Sequence, residues 1–161
     1  MLVSRPSQVA YAAHGITLPS DASTIMQLPE PILIKPPAND ETAIFVSKVL
    51  ASTEDTWNEV FRASGRQYEE PKLVLFSGVT PTACGTGQSA MGPFYCPADQ
   101  RVYLDLGFFD ELARRFRVPG QFPQAYVIAH EVGHHIQTIS GRSNQVRRAQ
   151  QQASEAEGNE L

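Results

Sequence analysis

His130-Glu131-Val132-Gly133-His134 sets two imidazoles and a carboxylate at a spacing that can do hydrolytic chemistry. On an α-helix, residues four apart sit one turn above the other on the same face, so both rings reach a single cation. Imidazole pairs suit Zn²⁺, which a catalytic site holds with three protein ligands and keeps open for a water. Glu131, beside the first imidazole, is placed to serve that water as general base. His130 and His134 are therefore the candidate metal ligands, and Glu131 the candidate catalytic residue. The plainer alternative is a helix that carries two histidines by accident.

The spacing carries this meaning only on a helix, and the flanks predict one. Ala125, Ala129, Val132, Ile136 and Ile139 recur at helical intervals through the motif. Pro123 suits a first turn, where its missing N–H costs nothing, and Gly141 suits a left-handed stop. The reading is a buried helix of about 17 residues ending near Ile139. Gly133 inside it costs about 1 kcal/mol relative to Ala, which implies a neighbour packed closely at that point.

A third ligand has to come from elsewhere. Glu155 and Glu157 lie about twenty residues past His134, where a second helix could return a carboxylate to the metal; a solvated acidic tail is the alternative. His135 points about 100° away from His134 around the helix, which leaves it a supporting or a surface contact. His14 has no sequence partner and reads as incidental. Tyr95, Tyr103 and Tyr126 are candidate oxyanion donors, with core or rim packing as the commoner role for such residues.

The elements that must position these groups fit one domain. The chain has 161 residues, 42% apolar and 9% aromatic, enough for a packed core. A formal charge of −4 and a pI near 5.5 leave no basic footprint, so no nucleic-acid partner is expected. No apolar run approaches the ~20 residues of a membrane span, and no signal-peptide pattern opens the sequence. Residues 1–40 hold six of the twelve prolines and read as an extended lead or linker ahead of a domain over 41–161.

Within that domain, Asn39-Asp40-Glu41 offers a helix cap, and Ile44, Phe45, Val49, Trp57, Val60 and Phe61 an apolar face running to Gly65. Trp57 reads as core. Leu73–Phe76 and Arg101–Leu106 read as strands, Phe108–Phe116 and Gln145–Gln152 as helices. The class is α+β, mostly helical with a small sheet and the His-Glu-x-x-His motif on a central helix. Cys84 and Cys96 are too few for a structural zinc site. A disulfide closing a Gly- and Pro-rich loop is the preferred reading, which places the protein outside the cytosol; two reduced buried thiols are the alternative.

Three blocks carry a resemblance. They are Gly92-Pro93-Phe94-Tyr95-Cys96-Pro97-Ala98-Asp99, Val102-Tyr103-Leu104-Asp105-Leu106 with Phe108-Phe109, and Ala125 through His135. Thr53-Glu54-Asp55-Thr56-Trp57, Leu73-Val74-Leu75-Phe76-Ser77-Gly78 and Cys84-Gly85 extend it from about Phe45 to the end. In these blocks the sequence closely resembles the neutral zinc metallopeptidase family of bacterial proteins, the YpfJ-like group. The resemblance implies a zincin-like peptidase domain with Zn²⁺ as cofactor and a peptide or protein as substrate. It also implies an N-terminal membrane helix preceding the region present here, so that the full-length protein is extracytoplasmic or membrane-anchored.

The family further carries, after an Asn-x-Leu like Asn159-Glu160-Leu161, a helix with the sequence Glu-Leu-Gln-Ala-Asp-Cys whose Glu is the expected third ligand; the present sequence reaches Leu161 before that helix. By analogy with zincins, the strand at Val102–Leu106 is the expected edge along which an extended peptide would align. The rival reading is a non-catalytic zincin-like interaction or scaffold module lacking its third metal ligand, against which the retained Glu131 argues. A metallohydrolase acting on another bond is the third possibility.

Overall fold

The computed structural model describes residues 9–12, 33–34, 40–115 and 120–152. Its centre is a five-stranded mixed sheet, and the two β-strand segments expected from sequence lie side by side within it. Strand β3 (Lys72–Phe76) runs parallel to β7 (Arg101–Asp105), with Leu73 opposite Val102 and Leu75 opposite Leu104. Alternation sends Leu73, Leu75, Val102 and Leu104 to one face and Val74, Phe76 and Tyr103 to the other. Both faces are covered, so β3 is buried at four consecutive positions and reads as a continuous apolar run.

Helix α1 (Glu41–Ala63) starts at Asp40, as the cap signal predicts: Asp40 Oδ1 accepts from the Ala43 N–H at 2.8 Å. It stops at Gly65, whose φ of +71° is the left-handed conformation that glycine takes without strain. Ala43, Val46, Leu50, Glu54 and Phe61 form its buried stripe. Ile44 and Val60, assigned to the apolar face by sequence, are 39% and 49% exposed, because the helix is rotated to put Val46 and Leu50 on the sheet. Trp57 packs partly buried against the core and meets Phe61 edge-on.

The proline-rich lead contributes two strands that its sequence does not announce. Strand β1 (Val9–Ala12) lies parallel to β3, and β2 (Leu33–Ile34) pairs antiparallel outside it. Strands that short carry no periodicity of their own; pairing with a buried neighbour is what makes them strands. A hairpin of β4 (Val79–Thr82) and β5 (Gly85–Gln88) also emerges from the Gly- and Pro-rich region. The Asp105 carboxylate ties it to the end of β7, accepting from the Ser89 hydroxyl at 2.5 Å and the Gly78 N–H at 3.3 Å.

Strand β6 (Phe94–Cys96) closes the other side of the sheet, antiparallel to β7. The Cys84–Cys96 disulfide forms, with Cα atoms 5.8 Å apart, and fastens the hairpin to β6. Helix α2 (Phe108–Arg115) follows β7 as expected, and α4 (Arg142–Gln152) starts three residues before the predicted Gln145. The fold is α+β, with helices outweighing strands. Among the described residues, no helix is long and apolar enough to cross a membrane.

Candidate metal centre

The motif lies on α3 (Gln121–Ile139), which ends where sequence places it, with Gly141 at φ +78° just beyond. Pro123 falls in its first turn. The helix is half-buried, not buried. Ile128, Glu131, Val132 and His135 face the sheet and α1, while Ala129, His130 and His134 are exposed. Of the expected stripe, Val132 is buried and Ile136 packs on the core, while Ala129 is exposed because the larger Ile128 takes the core position beside it. Gly133 has open space where a Cβ would stand, so the close neighbour inferred from its presence does not exist among the described residues.

His130 and His134 come together on the exposed face of α3. Their Nε2 atoms are 3.2 Å apart and their rings stand edge-on at 86°. Two nitrogens bound to one tetrahedral zinc at about 2.0–2.1 Å sit roughly 3.3 Å from each other, a separation that this pair matches. Gln137 Oε1 lies 3.2 Å from His134 Nδ1, which assigns the ring proton to Nδ1 and leaves the Nε2 lone pair for a metal. Among the described residues, no set of three His, Cys, Asp or Glu converges on one point. His14, Glu155 and Glu157 lie outside the described residues.

Glu131 lies about 100° around the helix from His130 and is only 7% exposed. Burial pushes its carboxyl above the ordinary carboxylate value, against the opposing pull of His134, His130 and a hydrogen bond from the Tyr95 main chain. A carboxylate displaced toward neutrality is the better proton acceptor at ordinary pH. Glu131 and His134 line a cleft of about 370 Å³ with Phe94, Tyr95 and Pro97 on the β6 side and Thr138, Ser143 and Arg147 on the helical side. A larger groove of about 830 Å³ between α1 and α3 touches Tyr126 and Ala129 but none of the three motif residues. Size and chemistry disagree here, and the chemistry selects the smaller cleft.

The three tyrosines separate. Tyr126 is 63% exposed with its ring 6.4 Å from that of His130. Tyr103 is wholly buried in the second core face and donates to Asp99 at 2.8 Å, so it has no reach into the cleft. Tyr95 lines the cleft, but its hydroxyl is engaged with His135 Nδ1 at 3.0 Å. His135 is no surface residue: it is fully buried, with Nε2 2.6 Å from the Glu69 carbonyl oxygen. Burial pushes its pKa below the ordinary imidazole value, so the ring is held neutral. Glu69 and Tyr95 offered no signal by spacing, since each reaches His135 from a separate element.

The edge expected at Val102–Leu106 is also corrected. Strand β7 is hydrogen-bonded on both sides, to β3 and to β6, so no edge of it is open. The outer strand is β6, and it is β6 that borders the cleft. The reason lies in connectivity: the Cys84–Cys96 loop folds back and places Phe94–Cys96 outside its successor.

The His-Glu-x-x-His motif is thus helix-borne, with its two imidazoles side by side and its carboxylate at a cleft. The chain belongs to the family described as putative neutral zinc metallopeptidase, which it matches over residues 17–161. It is 54% identical over 125 residues to the uncharacterized protein YpfJ of Escherichia coli K12, covering 78% of this chain and 44% of that protein. It is 40% identical over 115 residues to the uncharacterized protein Mb2605 of Mycobacterium bovis, covering 71% of this chain and 38% of the relative. The chain thus spans less than half the length of these relatives. No solved structure matches it.

Proposed function

We propose that this region is the zinc-binding and catalytic part of a metallopeptidase that hydrolyses peptide bonds in proteins or peptides. The observation that carries the reading is the Nε2 pair of His130 and His134 at 3.2 Å, with a buried carboxylate between them in sequence and a strand edge beside the cleft. His130 and His134 would hold Zn²⁺. When bound, that ion supplies Lewis-acid polarisation and lowers the pKa of water. Glu131 takes a proton from the attacking water at its carboxylate and returns it to the leaving nitrogen. The outer edge of β6 offers main-chain groups alongside which an extended substrate can lie. The third ligand is proposed to come from residues outside those described, Glu155, Glu157 or a carboxylate of the longer protein. The Cys84–Cys96 disulfide supports an oxidising, extracytoplasmic setting.

Glu131→Gln in the full-length protein tests the mechanism. The amide preserves shape, so zinc content and unfolding temperature are expected to hold while hydrolysis of an unfolded protein substrate falls by about 10²-fold or more. Equal cleavage by this variant removes Glu131 from the mechanism. A zinc-loaded parent that cleaves no peptide across neutral and mildly acidic or alkaline pH favours the scaffold reading instead.

A further inference from the structure

On the face of α3 turned away from the ligand pair, a buried polar chain joins three elements. His135 Nε2 faces the Glu69 carbonyl oxygen at 2.6 Å. A carbonyl only accepts, so the ring proton sits on Nε2 and Nδ1 is left as an acceptor. Tyr95 donates its hydroxyl to that Nδ1 over 3.0 Å. The two rings meet edge-on with centroids 5.5 Å apart, and Tyr68 packs on His135 at 6.0 Å.

Tyr95 is the middle residue of β6, a three-residue strand paired on one side only. A strand so short has little stability of its own. Its main chain also approaches the Glu131 carboxylate and favours the charged form. Glu131 and His135 are four apart and share one face of α3. Tyr95 therefore holds the motif helix by its side chain at His135 and lines the cleft beside Glu131 one turn earlier.

We propose that Tyr95 and His135 form a positioning pair that seats β6 on the motif helix and aims the Glu131 carboxylate into the cleft. Neither residue touches the reacting atoms in this arrangement. The seating is a structural claim that stands by itself; its effect on turnover rests on the reading of Glu131 as the base.

The test uses the zinc-loaded full-length protein and four variants: Tyr95→Phe, His135→Gln, His135→Asn and the double Tyr95→Phe/His135→Gln. Asn sets its amide oxygen near the place of Nδ1 and keeps the acceptor for Tyr95. Gln sets its amide nitrogen near the place of Nε2, keeping the donor to Glu69 and losing that acceptor. Amide hydrogen exchange over residues 94–96 is expected to quicken by about tenfold or more in Tyr95→Phe and His135→Gln, and to stay within about twofold of the parent in His135→Asn. In the same two variants kcat falls roughly tenfold with KM and zinc content unchanged, the scale typical of supporting residues around a metal site.

The double variant is expected to be no worse than either single, because both remove one interaction. Val46→Ala, a core change away from the cleft, lowers the unfolding temperature without selective loosening of β6. Parental exchange over 94–96 in Tyr95→Phe overturns the pair, as does His135→Asn proving as loose as His135→Gln, which would make His135 a packing residue. If the parent cleaves nothing, the peptidase reading fails and the exchange measurements alone decide the positioning pair.

Discussion

His130 and His134 differ from His135 by where their rings end, although the three are near neighbours in sequence. Two are exposed and converge within 3.2 Å, and the third is buried and spent on Glu69 and Tyr95. On the proposed reading, metal affinity depends on the first two of these three histidines and not on His135. His130→Ala or His134→Ala is expected to abolish stoichiometric zinc in the full-length protein, measured by metal analysis after dialysis. His135→Asn is expected to retain it. For the 161-residue chain, two imidazoles leave most of the coordination sphere to water, so zinc should be lost to a modest chelator. Chelator-resistant zinc there would show that Glu155 or Glu157 completes the site.

At the scale of the element, α3 carries a flaw that its setting does not require. Gly133 has helical backbone, and a Cβ at that point would meet no atom within 4 Å. Gly133→Ala is therefore expected to stabilise the 161-residue chain by about 0.5–1 kcal/mol, through helix propensity and reduced freedom of the unfolded chain. Thermal or denaturant unfolding checks this directly. A loss of stability would mean that residues outside those described pack on that face of the helix. Glycine at Gly87 is a different matter, since a Cβ there would collide with the Phe94 ring, and Gly87→Ala should disturb the hairpin against β6.

The whole molecule is tied together by the Cys84–Cys96 bridge, which closes a separation of 12 residues and anchors the strand that borders the cleft. Reduction, or Cys84→Ser with Cys96→Ser, is expected to cost about 3 kcal/mol in the chain-entropy model, read as a lowered unfolding midpoint. Alkaline pH probes the same fold. Burial pushes Tyr68 and Tyr103 well above the ordinary phenol value of 10.0. Their neutral forms are favoured by folding, so this stability is present below pH 10 and is lost as pH rises past it, where the unfolded chain ionises first. Spectrophotometric titration should show both phenols silent until the fold opens; free ionisation of Tyr103 near pH 10 in a folded chain would contradict the buried placement.

What the residues determined by themselves is local. His-Glu-x-x-His with helical flanks, a Pro in the first turn and a Gly at the stop is enough to make α3, because each signal acts within a turn or two of backbone. Asp40 capping α1 and the apolar run of β3 are legible for the same reason. Which way each helix is rotated was not legible: Ile128 and Val46 won the core positions over Ala129 and Ile44 through packing against strands far away in sequence. The edge strand moved from β7 to β6 because pairing partners are set by chain reversal and a disulfide, not by the pattern of either strand. Strand β1 exists only because β3 pairs with it, and β2 only because β1 does. The hydrogen bonds that His135 gives to the Glu69 carbonyl and takes from the Tyr95 hydroxyl join residues 66 and 40 positions apart, a distance over which spacing carries no information and only the folded chain decides.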